Sequence, residues 1–147
     1  MTYNLLKFLH IVGAIAWVGG LIVVAVLNAR FSQREDRSAR VAMTRQTRAM
    51  AAFVMMPGAI LALIGGIGMM ALARTGFPLW IDWGLAAIML SILLGATVLR
   101  KAGSELTQRL SGSGEVRRLE RRLALWSVIN IAVLLSAVWA MVFKPAL

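Results

Sequence analysis

The sequence predicts an all-α integral membrane protein, an antiparallel four-helix bundle with both termini on the non-cytoplasmic side. Of its 147 residues, 60% are hydrophobic and 15% charged, against about 45–50% and about 25% in a soluble domain. Charge-free runs occupy residues 11–29, 49–73, 83–99 and 123–143, and about 20 apolar residues suffice to cross about 30 Å of hydrocarbon. Thirteen of the sixteen basic residues fall in the connections after the first and third runs, which places both connections on one side of the membrane. The positive-inside rule makes that side cytoplasmic. The expectation is one four-span domain over 1–147, with spans at about 5–28, 50–72, 79–99 and 123–143, in a bacterial inner membrane.

The apolar run of span 1 follows Lys7 and is too long for the apolar core of a signal peptide, so it reads as a retained helix. Its Gly13, Ala16, Gly19 and Gly20 let a neighbouring backbone come close. Beyond it Arg30, Arg34, Arg37, Arg45 and Arg48 recur by threes and fours or multiples of them, which predicts that the helix continues into the cytoplasm with a basic, lipid-contacting face. A separate basic helix lying on the membrane surface is the alternative. Span 2 contains Pro57, expected to kink it, and a small-residue seam at Gly58, Ala62 and Gly66. Spans 3 and 4 repeat that seam with Ala87, Ser91 and Gly95, and with Ala132, Ser136 and Ala140.

A short turn over 74–78 closes the hairpin between spans 2 and 3, and Ser111-Gly112-Ser113-Gly114 marks a break before span 4. Arg117, Arg118, Arg121 and Arg122 then form a second basic, lipid-facing set. Trp80, Trp83, Trp126 and Trp139 lie near span ends, where indole N–H groups reach the head groups. The net charge of +10 is thus topology rather than a nucleic-acid footprint, and anionic lipid head groups are the expected partners.

Composition also excludes functions. So little chain lies outside the spans that no soluble catalytic or nucleotide-binding domain fits. With no cysteine there is no disulfide, thiolate metal site or covalent c-type haem. No serine–histidine–carboxylate set, paired membrane carboxylates or glycine-rich phosphate loop is found, which removes hydrolase and nucleotide chemistry.

The residue that could carry chemistry is His10, the sole histidine, because an ionisable group inside a membrane is costly. Gly13, Ala14 and Trp17 share its helical face and would form a small recess with an aromatic floor, suited to a flat macrocycle. The same spacing equally suits a histidine hydrogen-bonded between helices. Met69, Met70 and Met141 lie at similar depth and could supply a sixth ligand to haem iron or merely fill the core. Nine methionines raise Cu(I) as a further ligand, but Met43, Met50, Met55, Met56 and Met89 are scattered across the membrane. Asp82 opens span 3, within reach of Arg74, Lys7 or His10, and Asn130 is expected to hydrogen-bond between helices.

The stretch from Leu6 to Gly20, with Lys7, His10, Trp17 and Gly20 at its fixed points, resembles the first helix of the HemJ-type protoporphyrinogen oxidases and of related copper-resistance-D-like four-helix membrane families. Arg48-Ala49-Met50 with Pro57, and Lys144-Pro145, extend the resemblance. It implies haem b held by His10 in a protein that oxidises a porphyrinogen. The chain departs from that pattern at Ala25-Val26, Phe31, Asp82-Trp83-Gly84 and Ser127-Val128-Ile129-Asn130, which turns the expectation away from the enzymatic step. Two functions therefore stand: a small haem- or porphyrin-binding, redox-associated protein using His10, and a non-catalytic accessory or assembly subunit of a larger membrane complex or homo-oligomer. Copper or small-molecule transport is third.

Overall fold

The computed structural model describes residues 1–32, 36–73, 78–111 and 117–144. Among these, the regular elements are α1 (Thr2–Phe31), α2 (Arg37–Met50), α3 (Met56–Ala73), α4 (Leu79–Leu93), α5 (Arg100–Ser111) and α6 (Arg117–Phe143). Two π-helical turns, Ala51–Met55 and Leu94–Leu99, join α2 to α3 and α4 to α5 without interruption. Four helices are long and apolar enough to cross a membrane: Thr2–Phe31, Ser38–Ala73, Leu79–Leu106 and Arg117–Phe143. The protein is an all-helical, four-helix membrane bundle. Arg34, Arg74, Pro145, most of the turn after span 2 and the glycine-serine break lie outside the described residues, as do the side chains of Arg37 and Arg109.

Span 1 does not continue through the arginines. Helix α1 ends at Phe31, and a new helix starts where Asp36 caps α2: its Oδ1 accepts from the backbone N–H of Ser38 at 2.9 Å and of Ala39 at 3.3 Å. A carboxylate at this position satisfies N–H groups that the first turn leaves without intrahelical partners. The basic segment is therefore helical but belongs to span 2. At 1.5 Å per residue the 36-residue helix Ser38–Ala73 is about 54 Å long, well beyond the hydrocarbon thickness. Its arginine-bearing α2 is the length beyond what the hydrocarbon layer needs.

The π-helical turns sit where each long helix passes from apolar to basic sequence. Pro57 has no N–H for a helical bond, and just before it the ladder slips by one residue, the N–H of Met56 reaching the carbonyl of Ala51. In the second turn the Thr97 hydroxyl donates to the Leu93 carbonyl at 2.5 Å, competing for a backbone acceptor.

Small residues decide which spans touch. Along α1 and α3, the most closely packed pair, Gly13 faces Gly58 and Ala62 while Gly65 faces Leu6 and His10. Helix α4 packs on α6, with Gly84, Ala87 and Ser91 buried on α4 and Asn130, Ala137 and Ala140 buried on α6. The pairs meet along α1 and α6, so the backbones are ordered α3–α1–α6–α4. Trp17, Leu21, Ile88 and Leu134 form the shared core, with Met55, Ala59 and Leu63 against it. At the arginine-rich end α2 touches α5, and α5 touches α6. These segments, with the end of α1, build a helical head on the bundle.

Candidate functional site

His10 sits on the face of α1 that meets α3. Its Nδ1 lies 2.6 Å from the carbonyl oxygen of Ala62. A carbonyl only accepts, so Nδ1 carries the proton and Nε2 of the neutral ring holds the lone pair. The ring rests on a notch made by two glycines. A Cβ on Gly66 would lie 3.1 Å from Nδ1, and one on Gly65 would lie 2.9 Å from the His10 Cβ. Histidine on α1 and paired glycines on α3 thus form a clasp across the most closely packed interface.

The face below His10 is filled. A Cβ on Gly13 would lie 2.5 Å from the Ala62 nitrogen and 2.6 Å from the Gly58 oxygen, so the α3 backbone occupies the space that glycine leaves. Ala14 is half-buried beside it, and Trp17 is 8% exposed with its ring committed to the core. A macrocycle between α1 and α3 would have to displace α3, so the residues present do not form an open haem recess there. Met69 and Met70 are half-buried on α3, one turn past the glycine notch. Met141 belongs to the other helix pair, where its Cε lies 2.8 Å from the position of a Cβ on Gly84. Met141 thus packs towards α4 while His10 faces α3. Among the described residues no three His, Cys, Asp or Glu side chains gather as a metal site.

Other polar side chains depart from the sequence expectations. Trp83 donates its indole N–H to the Ser136 hydroxyl at 3.3 Å, linking α4 to α6 instead of reaching a head group. Asn130 is buried on α6, but its Oδ1 accepts no hydrogen bond among the described residues, and the buried hydroxyl of Ser91 is likewise unsatisfied. At the far end Lys144 Nζ lies 5.6 Å from the centre of the Trp80 ring, and Asp82 is exposed in the first turn of α4.

The head holds what sequence spacing did not show. Arg30, Arg45 and Arg48 are exposed on α1 and α2, as are Arg117, Arg118, Arg121 and Arg122 on the first turns of α6. Arg40 points inward and forms an ion pair with Glu120 of α6, each side chain 14% exposed. It stands three residues after Arg37, so spacing alone did not set it apart, and Glu120 lies between Arg118 and Arg121. An acid set among arginines was the available signal.

Around this pair lies a cavity of about 490 Å³ between α1, α2, α5 and α6. Arg40, Arg117, Glu120 and Arg121 line its solvent-side end, while Ala25, Met43, Leu123 and Ala124 contribute apolar wall. Helical rise over the ten residues from Arg117 to Ser127, both lining residues, gives it about 15 Å along α6.

No curated protein and no solved structure matches the chain. A family model described as "Predicted integral membrane protein (DUF2269)" matches residues 4–145. The chain therefore belongs to the DUF2269 family of predicted integral membrane proteins.

Proposed function

We propose that this protein is a non-catalytic accessory or assembly subunit of a larger complex in a bacterial inner membrane, with its arginine head in the cytoplasm and both termini outside. One observation carries the reading: the glycine seam between α1 and α3 is consumed by packing within the bundle, whereas the head leaves Arg30, Arg45, Arg118 and Arg122 exposed. A partner therefore finds its polar contacts on the head. The charge distribution supports its orientation, since the described basic residues at the other end are Lys7 and Lys144.

Migration of the detergent-solubilised full chain on a native gel tests this reading. Wild type should run in an assembly well above one 16.0 kDa chain, and replacing Arg30, Arg45, Arg118 and Arg122 by Gln should release it as a monomer or dimer. Wild type migrating alone overturns the proposal.

A second reading, haem b or porphyrin bound through His10, is favoured by its tautomer. The bond from Nδ1 to a carbonyl leaves Nε2 as the ring nitrogen available to a metal, the arrangement metal-ligating histidines use. The filled face at Gly13 argues for the clasp instead. An absorption spectrum of reduced protein from haem-replete cells decides between them. The accessory reading predicts no Soret or α band. Bands present in wild type and lost in His10→Ala would replace it with haem ligation.

A further inference from the structure

We infer that the cavity in the head is a binding site for one anionic glycerophospholipid, its phosphate held by Arg117 and Arg121 and the start of its acyl chains lying along Ala25, Leu123 and Ala124. The inference rests on the head being the cytoplasmic working surface, but requires no protein partner. Arg117 and Arg121 are four residues apart on one helix, a like-charge spacing that costs energy until an anion lies between them. They also occupy the first turns of a 27-residue helix, where the macrodipole disfavours cations and favours an anion.

Glu120 does not cancel that charge, because it is paired with Arg40. The ion pair instead fixes α2 against α6 and holds one wall of the cavity in place. Polarity falls along the helix axis in the same direction as in a lipid monolayer: arginines at the solvent end, alanine and leucine towards the spans, where the polar lining is Asn28 and a Ser127 hydroxyl that donates to the Leu123 carbonyl. A soluble phosphate would use the arginines alone. A zwitterionic lipid would bring its own cation against them. The apolar wall and the net positive mouth together select an anionic amphiphile, in keeping with basic pockets on the cytoplasmic side of membrane helices.

Native mass spectrometry of the full chain in detergent, with equimolar phosphatidylglycerol and phosphatidylcholine, tests the assignment. One phosphatidylglycerol should be retained in preference to phosphatidylcholine. Arg117→Gln with Arg121→Gln should lower that retention about thirtyfold, from the attraction typical of two arginines near an anionic surface. Arg45→Gln with Arg118→Gln, a loss of equal charge outside the cavity lining, should leave it unchanged. Ala124→Trp should lower retention while both arginines remain, reporting on the acyl wall. Equal retention of the two lipids, or equal loss in both double variants, overturns the site. Displacement of the lipid by millimolar inorganic phosphate, with Ala124→Trp having no effect, overturns the lipid assignment. Native-gel assembly of the Arg117/Arg121 variant reads the accessory role separately, so failure of one proposal is distinguishable from failure of the other.

Discussion

Alanine at position 13 should destabilise the bundle, whereas alanine at position 19 of the same helix should not. A Cβ on Gly13 would stand 2.5 Å from the Ala62 nitrogen and 2.6 Å from the Gly58 oxygen, both backbone atoms that no rotamer change can move aside. To restore ordinary contact, α1 and α3 must separate by about 0.9 Å, a gap that forfeits about a quarter to a half of the dispersion energy of facing atoms. Overpacking of this kind costs about 1–3 kcal/mol. The same movement stretches the His10–Ala62 hydrogen bond beyond its 2.6 Å, a loss of about 0.6 kcal/mol for an average polar contact inside a membrane. Against this, replacing a helical glycine by alanine gains about 0.5–1 kcal/mol. The net expectation for Gly13→Ala is a loss of about 1–3 kcal/mol. Nothing lies within 4 Å of a Cβ on Gly19, so Gly19→Ala keeps only the propensity gain. Reversible unfolding in mixed micelles of rising dodecyl sulfate fraction reads both variants against wild type. Equal midpoints for the two would refute the close approach of α1 to α3.

His10→Ala should cost about 1–2 kcal/mol in the same assay, from a lost hydrogen bond and an emptied glycine notch, with the visible spectrum unchanged; an unaltered midpoint would contradict the clasp. Glu120→Ala should destabilise by about 1–3 kcal/mol, between the exposed and buried limits for ion pairs. Arg40→Ala should cost less, because Glu120 keeps arginine neighbours while Arg40 would face only like charge; thermal melts giving the reverse order would count against the inward pair. Ser91→Ala should be neutral or stabilising by up to about 1 kcal/mol, since its buried hydroxyl has no partner among the described residues. A clear loss of stability would reveal a bond donated or accepted there.

The architecture was legible because the bilayer imposes a coarse rule, a long apolar run between charges, which even Asn130 and Ser91 do not interrupt. The seams were legible in part: Gly58, Ala62, Ala87, Ser91 and Ala140 prove buried, whereas Ala132 is exposed and a Cβ on Gly95 would meet nothing within 4 Å. Spacing could not show which helix owned the arginines. The periodicity across Arg30 and Arg37 is indifferent to a break, and the deciding signal was a single capping carboxylate, Asp36. His10 and Gly65 are far apart in sequence, so the clasp depends on the register of α1 against α3, which no local pattern encodes. The inward turn of Arg40 was hidden for the same reason: its partner Glu120 lies eighty residues away.

Single-cysteine labelling tests the orientation on which a cytoplasmic head depends, and the chain carries no native cysteine to confuse it. Cysteine replaces Arg45 on the head in one variant and Lys144 at the opposite end in another, and intact spheroplasts are exposed to a membrane-impermeant maleimide. The account predicts that Lys144→Cys is labelled at once and that Arg45→Cys is labelled only after the membrane is permeabilised. Labelling of Arg45→Cys in intact spheroplasts, with Lys144→Cys protected, would put the arginine head outside and contradict the account.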